Sequence, residues 1–184
     1  MDKLIALILV ITVNLPTFSL AEPSERGSGG VQKQDMTNQR LGELIKRIDE
    51  QAKGQTGYWE FTVEGQVIRV ITDEKADRMR IIAPIVRSDE LDKSGLYRLM
   101  QANFDSALDA RYSIAKGVLW STYIHPLSPL SDREFLTAVG QVVNLVATYG
   151  TSYSSGALVF QGGDSRELQR RKVIDRLLEK GLAI

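Results

Sequence analysis

Three consecutive β-strand patterns, joined by short turns, limit the possible folds of this chain more than any other feature. The first alternates apolar and polar residues, and the two that follow are rich in Val and Ile. Glu64-Gly65 supplies a tight turn between the first two strands. Strands connected in this way form an antiparallel meander, and Pro84 predicts that the third strand lies at an edge or ends there. The three strands are predicted over Tyr58–Val63, Gln66–Thr72 and Arg78–Val86.

Segments in which apolar residues recur at helical spacing lie on both sides of this meander. In the first of them, Leu41, Leu44 and Ile48 repeat every three or four residues, as on the buried side of an amphipathic helix. Two further strands follow the second helix, with Lys116-Gly117 as the turn between them. The helices are predicted over Thr37–Lys53, Leu91–Ala107 and Ser131–Tyr149, with a last one beginning at Asp164, and the strands over Ala110–Ala115 and Val118–His125.

The order of these elements is α-βββ-α-ββ-α, with a C-terminal helix appended. It predicts an α+β fold in which an antiparallel sheet of about five strands packs against helices. The apolar stripes of the helices and the inward faces of the strands supply the two halves of one core. Residues 36–184 fit a single domain of about 150 residues.

Residues 1–21 have the pattern of a secretory signal peptide. Lys3 precedes an apolar run, and Ser19-Leu20-Ala21 places small residues at the positions that a signal peptidase reads. The polar, glycine-rich residues 22–35 predict a flexible leader. Cleavage after the triplet predicts a periplasmic or secreted protein. The alternative is an uncleaved membrane anchor, against which the shortness of the apolar run and Pro16 both argue.

Charge and composition exclude several classes of function. The 23 basic and 23 acidic residues balance, so the chain lacks the excess positive charge with which proteins displace counterions from nucleic acid. With no Cys and a single His, it lacks the ligands of thiolate or multi-histidine zinc sites. The sequence also contains no catalytic or cofactor-binding signature. We therefore expect no cofactor, no bound metal and no enzymatic activity.

Five short motifs carry a resemblance to a known fold. They are Gly57-Tyr58-Trp59, Met100-Gln101-Ala102-Asn103, Ala110-Arg111-Tyr112, Val118-Leu119-Trp120 and the Ser131–Tyr149 helix. This combination, which spans about residues 41–149, resembles the type III secretion chaperone-like fold and most of all its YbjN-like bacterial branch. The resemblance implies a homodimer or small binding module without enzymatic activity. Secretion chaperones of this fold are usually acidic and cytosolic, whereas this chain is neutral and has the sequence pattern of an export signal.

The predicted strands carry more apolar surface than one layer of helices can cover. In the last strand, Trp120 lies on one face, and Leu119 and Tyr123 lie on the other. With Trp120 taken as the buried side, the candidate partner-binding residues are Leu119, Tyr123 and Tyr58. We therefore expect the second face of the sheet to bind either a peptide or protein segment or a second copy of the chain.

Two other functions stay open at this point. His125 would act as a general base toward Ser121, which lies on the same face of its strand, if the chain were a small hydrolase. No Gly-x-Ser-x-Gly motif surrounds Ser121, so this hypothesis rests on the strand alternation alone. Retention of the N-terminal segment would instead indicate a membrane-anchored sensor or adaptor.

Overall fold

An antiparallel sheet of six strands with helices on one face organises the computed structural model, which describes residues 35–155 and 165–183. The α+β prediction is confirmed, with one strand more than expected. The predicted signal peptide lies outside the described residues, as does the predicted leader up to residue 34. The strands are β1 (Lys53–Gln55), β2 (Tyr58–Val63), β3 (Gln66–Asp73), β4 (Arg78–Arg87), β5 (Arg111–Ala115) and β6 (Val118–His125). The helices are α1 (Asn38–Ile48), α2 (Lys93–Asp105), α3 (Asp132–Ala147) and α4 (Ser165–Leu182).

The first helix ends at Ile48, before its predicted end at Lys53, and the additional strand β1 begins at Lys53. α1 ends early because Asp49 is extended, and its carboxylate accepts hydrogen bonds from the backbone N–H groups of Gln51 (2.9 Å) and Thr62 (3.0 Å). The chain then turns back, so that β1 pairs with β2. Gly54 permits this return with a φ of 137°, and a Cβ at this position would overlap the carbonyl oxygen of Tyr58.

Pro84 lies inside the sheet and not at its edge. The strand order is β1-β2-β3-β4-β6-β5, so β4 is flanked by β3 and β6, and the prediction that it forms an edge is wrong. The register of β4 against β6 shifts between Pro84 and Val86. Such an irregularity accommodates a residue that has no backbone N–H to donate. The proline therefore marks a bulge in a central strand, which continues to Arg87.

α1 and α3 cover one face of the sheet, and α4 packs against both of them from outside. α3 contacts strands β3 to β6, while α1 contacts β2. At the start of α3, Ser131 and Glu134 form the capping box that the sequence predicts. Apolar side chains from these helices and from the facing strands form the core. Its largest fully buried members include Leu41, Leu44, Ile45, Ile68, Met79, Ile81, Phe135 and Leu136.

α4 packs closely against α3 at two glycines. A Cβ added to Gly140 would lie 2.5 Å from Cγ1 of Ile174, and Gly181 meets a side chain of α3 at a similar distance. The end of α4 is also tied to the end of α1, because the Lys180 ammonium donates to the Ile48 carbonyl at 2.7 Å. The two helix ends therefore satisfy part of each other's free backbone groups.

Asp77, in the turn between β3 and β4, forms hydrogen bonds with the loop that precedes α3. Its carboxylate accepts hydrogen bonds from the backbone N–H of Ser128 (2.6 Å) and from the Ser128 hydroxyl (3.0 Å). The backbone hydrogen bond from Ser128 is the main cause that holds the pKa of Asp77 below its ordinary value of 3.8. The ionised carboxylate thus stabilises the junction between the meander and α3.

We expect Asp77→Asn to lower the Tm by a few degrees at neutral pH. Asn tolerates the positive φ of this position but removes the charged acceptor. Since folding lowers the pKa of Asp77, its contribution to stability is complete above the unfolded pKa, about 4, and is lost as pH falls through the folded pKa. Thermal melts of both proteins should therefore show a difference in Tm that shrinks below about pH 4. A difference that stays constant at acidic pH would contradict this role.

Candidate functional site

No described helix covers the sheet face that points away from α1 and α3, and we call this surface the open face. Residues paired across neighbouring strands point to the same side of a sheet, so the pairing register identifies its members. They are Lys53, Gln55, Tyr58, Glu60, Thr62, Val67, Arg69, Ile71, Asp73, Arg78, Arg80, Ile82, Pro84, Arg87, Arg111, Ser113, Ala115, Val118, Trp120, Thr122 and Ile124.

A row of large exposed side chains crosses the open face. Tyr58 of β2 pairs with Ile71 of β3, and Ile71 pairs with Arg80 of β4. Arg80 pairs in turn with Ile124 of β6, so the row extends about 14 Å over four adjacent strands. The exposed fractions are 40% for Tyr58, 39% for Ile71 and 56% for Ile124. The row thus leaves three apolar side chains in solvent, with one cation between two of them.

Arg69 and Trp120 stack in the middle of the open face. Arg69 Nε donates to the Glu60 carboxylate at 2.8 Å, and the guanidinium carbon lies 6.0 Å from the centre of the Trp120 ring. The indole N–H of Trp120 donates to the Ala115 carbonyl at 2.9 Å. Burial lowers the pKa of Arg69, but hydrogen bonds to Glu60 and Tyr58 outweigh it and raise that pKa overall. An aromatic ring and a cation are therefore held in place together.

The open face carries more positive than negative charge. Its acidic members are Glu60, whose carboxylate is paired with Arg69, and Asp73, which lies opposite Arg78 at the end of β3. Within the described part of the chain, Arg80 and Arg111 have no carboxylate at ion-pair distance. Lys53 adds a further cation where β1 borders β2. The face therefore combines apolar side chains with a local positive potential, although the whole chain is neutral.

Two of the three predicted partner-binding residues lie in the core. Leu119 and Tyr123 are buried on the covered face, and burial raises the pKa of Tyr123 to about 12. Tyr58 does lie on the open face. The assumption that Trp120 points inward is wrong, because the register of β6 against β4 aligns Tyr123 with the buried Ile81. Leu119 and Tyr123 are therefore not accessible to a partner in this fold.

Sequence reasoning does not identify Ile71, Arg80 or Ile124 as members of the site. The strands themselves are located correctly, but the two sides of β6 are similarly apolar, so composition alone does not assign its faces. One residue in the sequence does indicate which face of the sheet is exposed. Arg80 lies in β4, and its charge marks the side of this strand that cannot be buried. To infer that Ile124 lies on the same face as Arg80, one must know that β4 pairs with β6, and no local sequence pattern indicates this pairing.

A second apolar surface lies on α2. Tyr97, Met100 and Phe104 are 69%, 56% and 90% exposed, and their spacing of three and four residues places them on one side of the helix. We call these three residues the α2 stripe. The other side of α2 is buried through Leu99 and Ala102. The helix therefore presents its larger apolar side chains to solvent.

Asn103 attaches α2 to the outer strand β5. Its side-chain oxygen accepts a hydrogen bond from the Tyr112 N–H at 2.7 Å, and its amide donates to the Tyr112 carbonyl at 3.1 Å. In an antiparallel strand both backbone groups of one residue point to the same side, so those of Tyr112 point away from β6. The Asn103 side chain thus fixes the orientation of α2 and of its stripe.

The geometry gives no support to a hydrolase built on Ser121 and His125. Ser121 is completely buried, and its hydroxyl has no hydrogen-bond partner in the part of the chain that the structure describes. His125 lies four residues further along β6, about 13 Å away. Its Nδ1 is 2.7 Å from the carbonyl oxygen of Pro126. The two side chains therefore form no dyad, and a substrate has no access to Ser121.

Within residues 35–155 and 165–183, no group of three or more His, Asp or Glu side chains is placed to hold a metal ion. Over the same ranges, none of the helices combines the length and the apolar character needed to cross a membrane.

Two solved structures that contain chaperones have an arrangement similar to that of this chain. The sequence matches no family model, and no curated protein matches it. The structure is similar to that of the Yersinia pestis type III secretion chaperone SycH, solved in complex with a stable fragment of YscM2, with a TM-score of 0.46 and 15% identity over 60% of this chain and 97% of that chain. It is also similar to a chain of the HopA1–SchA chaperone–effector complex, with a TM-score of 0.41 and 12% identity over 60% of this chain and 95% of that chain. The YbjN-like resemblance stays a prediction.

Proposed function

We propose that this chain is an exported, non-enzymatic module that binds a protein segment on its open face and a second copy of itself through the α2 stripe. The observation that carries the proposal is the exposure of large apolar side chains on two surfaces that no described element covers. Contiguous apolar patches on a soluble domain typically mark interaction sites. The predicted signal peptide supports a location outside the cytoplasm.

The open face suits a partner that differs from this chain. A two-fold axis would place the face against the same face of a second copy and would bring the Arg80 and Arg111 cations of both copies into one interface. Like charges at such close range oppose association. A partner that does not carry positive charge on its contact surface avoids this repulsion. Tyr58 and Trp120 offer such a partner the aromatic contacts that are enriched at interfaces.

The α2 stripe suits a second copy because it is self-complementary in an antiparallel arrangement. With Met100 on the two-fold axis, Tyr97 precedes it by three residues and meets Phe104 of the second copy, which follows Met100 by four. Lys93 continues the stripe toward the start of α2, and Asp105 borders its end. Antiparallel helices would therefore also bring opposite charges together.

Site-specific photo-cross-linking tests whether the open face binds a partner. A photoreactive phenylalanine derivative would replace Ile71 or Ile124 in the full chain, and the matched control would carry it at Arg133, which is exposed on α3. We expect irradiation of native cells to give a discrete adduct of higher mass from both open-face positions. We expect none from the control position, because α3 lies on the other side of the sheet.

The same experiment contains the result that would overturn the assignment. Introducing Tyr58→Asp in the chain labelled at Ile124 should reduce the adduct strongly, since a charge replaces an apolar contact in the same row. Adducts that form equally well from Arg133, or that are unaffected by Tyr58→Asp, would show that the open face is not the binding surface.

A further inference from the structure

We propose that the segment bound on the open face is an amphipathic α-helix with acidic residues along the edges of its apolar stripe. This inference rests on the proposed function and specifies the chemistry of the partner. Three properties of the open face indicate such a helix: its lack of free backbone groups, the arrangement of its apolar side chains and its charge.

On the face of a sheet, only side chains are available to contact a partner. The N–H and C=O groups of β2, β3, β4 and β6 point along the sheet toward their neighbouring strands. An extended segment lying on this face would find no backbone partners there, and buried backbone groups without partners are costly. A helix satisfies its own backbone, so it loses nothing when its apolar side is covered. The open face therefore favours a helical occupant.

The apolar side chains of the open face form two ridges, which are bridged where Arg69 of β3 stacks on Trp120 of β6. Val67 and Ile71 project from β3, and Trp120 and Ile124 project from β6. These strands are separated by β4, which places the ridges about 10 Å apart, close to the diameter of an α-helix. The ridges extend over four residues, about 13 Å, which corresponds to about nine helical residues. A helix of two to three turns that lies on top of the two ridges, along β4, would therefore cover their apolar side chains.

Charge selects among amphipathic helices. Arg80 stands between the two ridges, with Arg111 on the β5 side and Lys53 on the β1 side. The long stems of such side chains can pack against an apolar stripe while the charged ends reach its edges. A helix with Asp or Glu at those edges would pair with these cations, whereas one with Lys or Arg would be repelled. The partner is therefore acidic beside its apolar stripe.

Selection from a random peptide library tests the chemistry without knowledge of the natural partner. The bait is the full chain, and the probe is a phage-displayed library of peptides of about 16 residues, long enough for four helical turns. Counter-selection uses the Ile71→Asp/Ile124→Asp double variant, in which both ridges are charged. We expect enriched sequences to be acidic and to repeat apolar residues every three or four positions.

Affinity measurements on the most enriched peptide then use two matched charge reversals. Arg80→Glu on the open face should weaken binding by about tenfold or more at low ionic strength, as expected when an interfacial cation becomes an anion. Arg133→Glu, exposed on α3, changes the net charge equally and should have little effect. Circular dichroism of the bound peptide should show helix. These results together would support the inference.

Three outcomes would overturn the inference. They are enrichment of basic peptides, enrichment of peptides in which apolar residues alternate with polar ones as in a strand, and no enrichment relative to the double variant. If photo-cross-linking at Ile71 and Ile124 succeeds in any of these cases, the open face still binds a protein, and only its description as an acidic helix is wrong. If photo-cross-linking fails as well, the proposed function itself is wrong.

Discussion

Met100→Asp is expected to abolish the proposed α2 dimer, with the Kd of self-association raised by at least about 100-fold. In the antiparallel arrangement, Met100 of each copy lies on the two-fold axis. The substitution therefore buries two carboxylates against each other and removes an apolar contact. Because Met100 is 56% exposed in the single chain, the change should leave the Tm of the monomer nearly unchanged. Light scattering coupled to size exclusion, over a range of concentrations, measures both states.

The matched control is Ile124→Asp, which alters a side chain with the same exposed fraction, 56%, on the open face. We expect this variant to remain dimeric and to lose binding of the protein segment, while Met100→Asp keeps it. A monomeric parent protein would contradict self-association through α2. So would dissociation caused by Ile124→Asp alone, which would move the dimer contact to the sheet.

Gly140→Val is expected to reduce the free energy of unfolding by about 3 kcal/mol, the upper part of the range for overpacked cores. The Cβ alone would lie 2.5 Å from Cγ1 of Ile174, so the Ile174 side chain has to shift within the contact between α3 and α4. This loss outweighs the better helix propensity of Val relative to Gly. Urea denaturation monitored by circular dichroism gives the difference.

Ile174→Ala provides the control, because it makes room for the larger side chain at position 140. The double variant Gly140→Val/Ile174→Ala should be more stable than the sum of the two single effects by about 1 to 2 kcal/mol. Strictly additive effects would show that the contact between these two positions does not cause the destabilisation.

Elements set by neighbouring residues can be predicted from this sequence. β6 has the predicted bounds, and the capping box of Ser131 and Glu134 starts α3 as expected. The turn at Glu64-Gly65 also forms, with positive φ values at both residues, as a tight hairpin turn requires. In each case the controlling interactions lie within a few residues, so local patterns contain the information.

Features that depend on residues far apart in the sequence cannot be predicted from local patterns. α1 ends early in part because Asp49 bonds to the backbone of Thr62 in another element, and Pro84 is tolerated because of how β4 pairs with β6. The helical pattern around Met100 predicts α2, but it does not show that only Leu99 and Ala102 are buried. Which apolar side chains remain exposed depends on the packing of whole elements, and the candidate site consists of such side chains.

The hydrogen bonds between Asn103 and Tyr112 also bear on how copies of this protein behave when crowded. A bare outer strand can template the addition of further strands, which leads to fibrous aggregates. At β5, however, the Asn103 amide already occupies the backbone of Tyr112, and at the opposite border β1 is only three residues long and carries Lys53. Both borders of the described sheet therefore resist the addition of further strands, and we expect concentrated protein to form no fibrils.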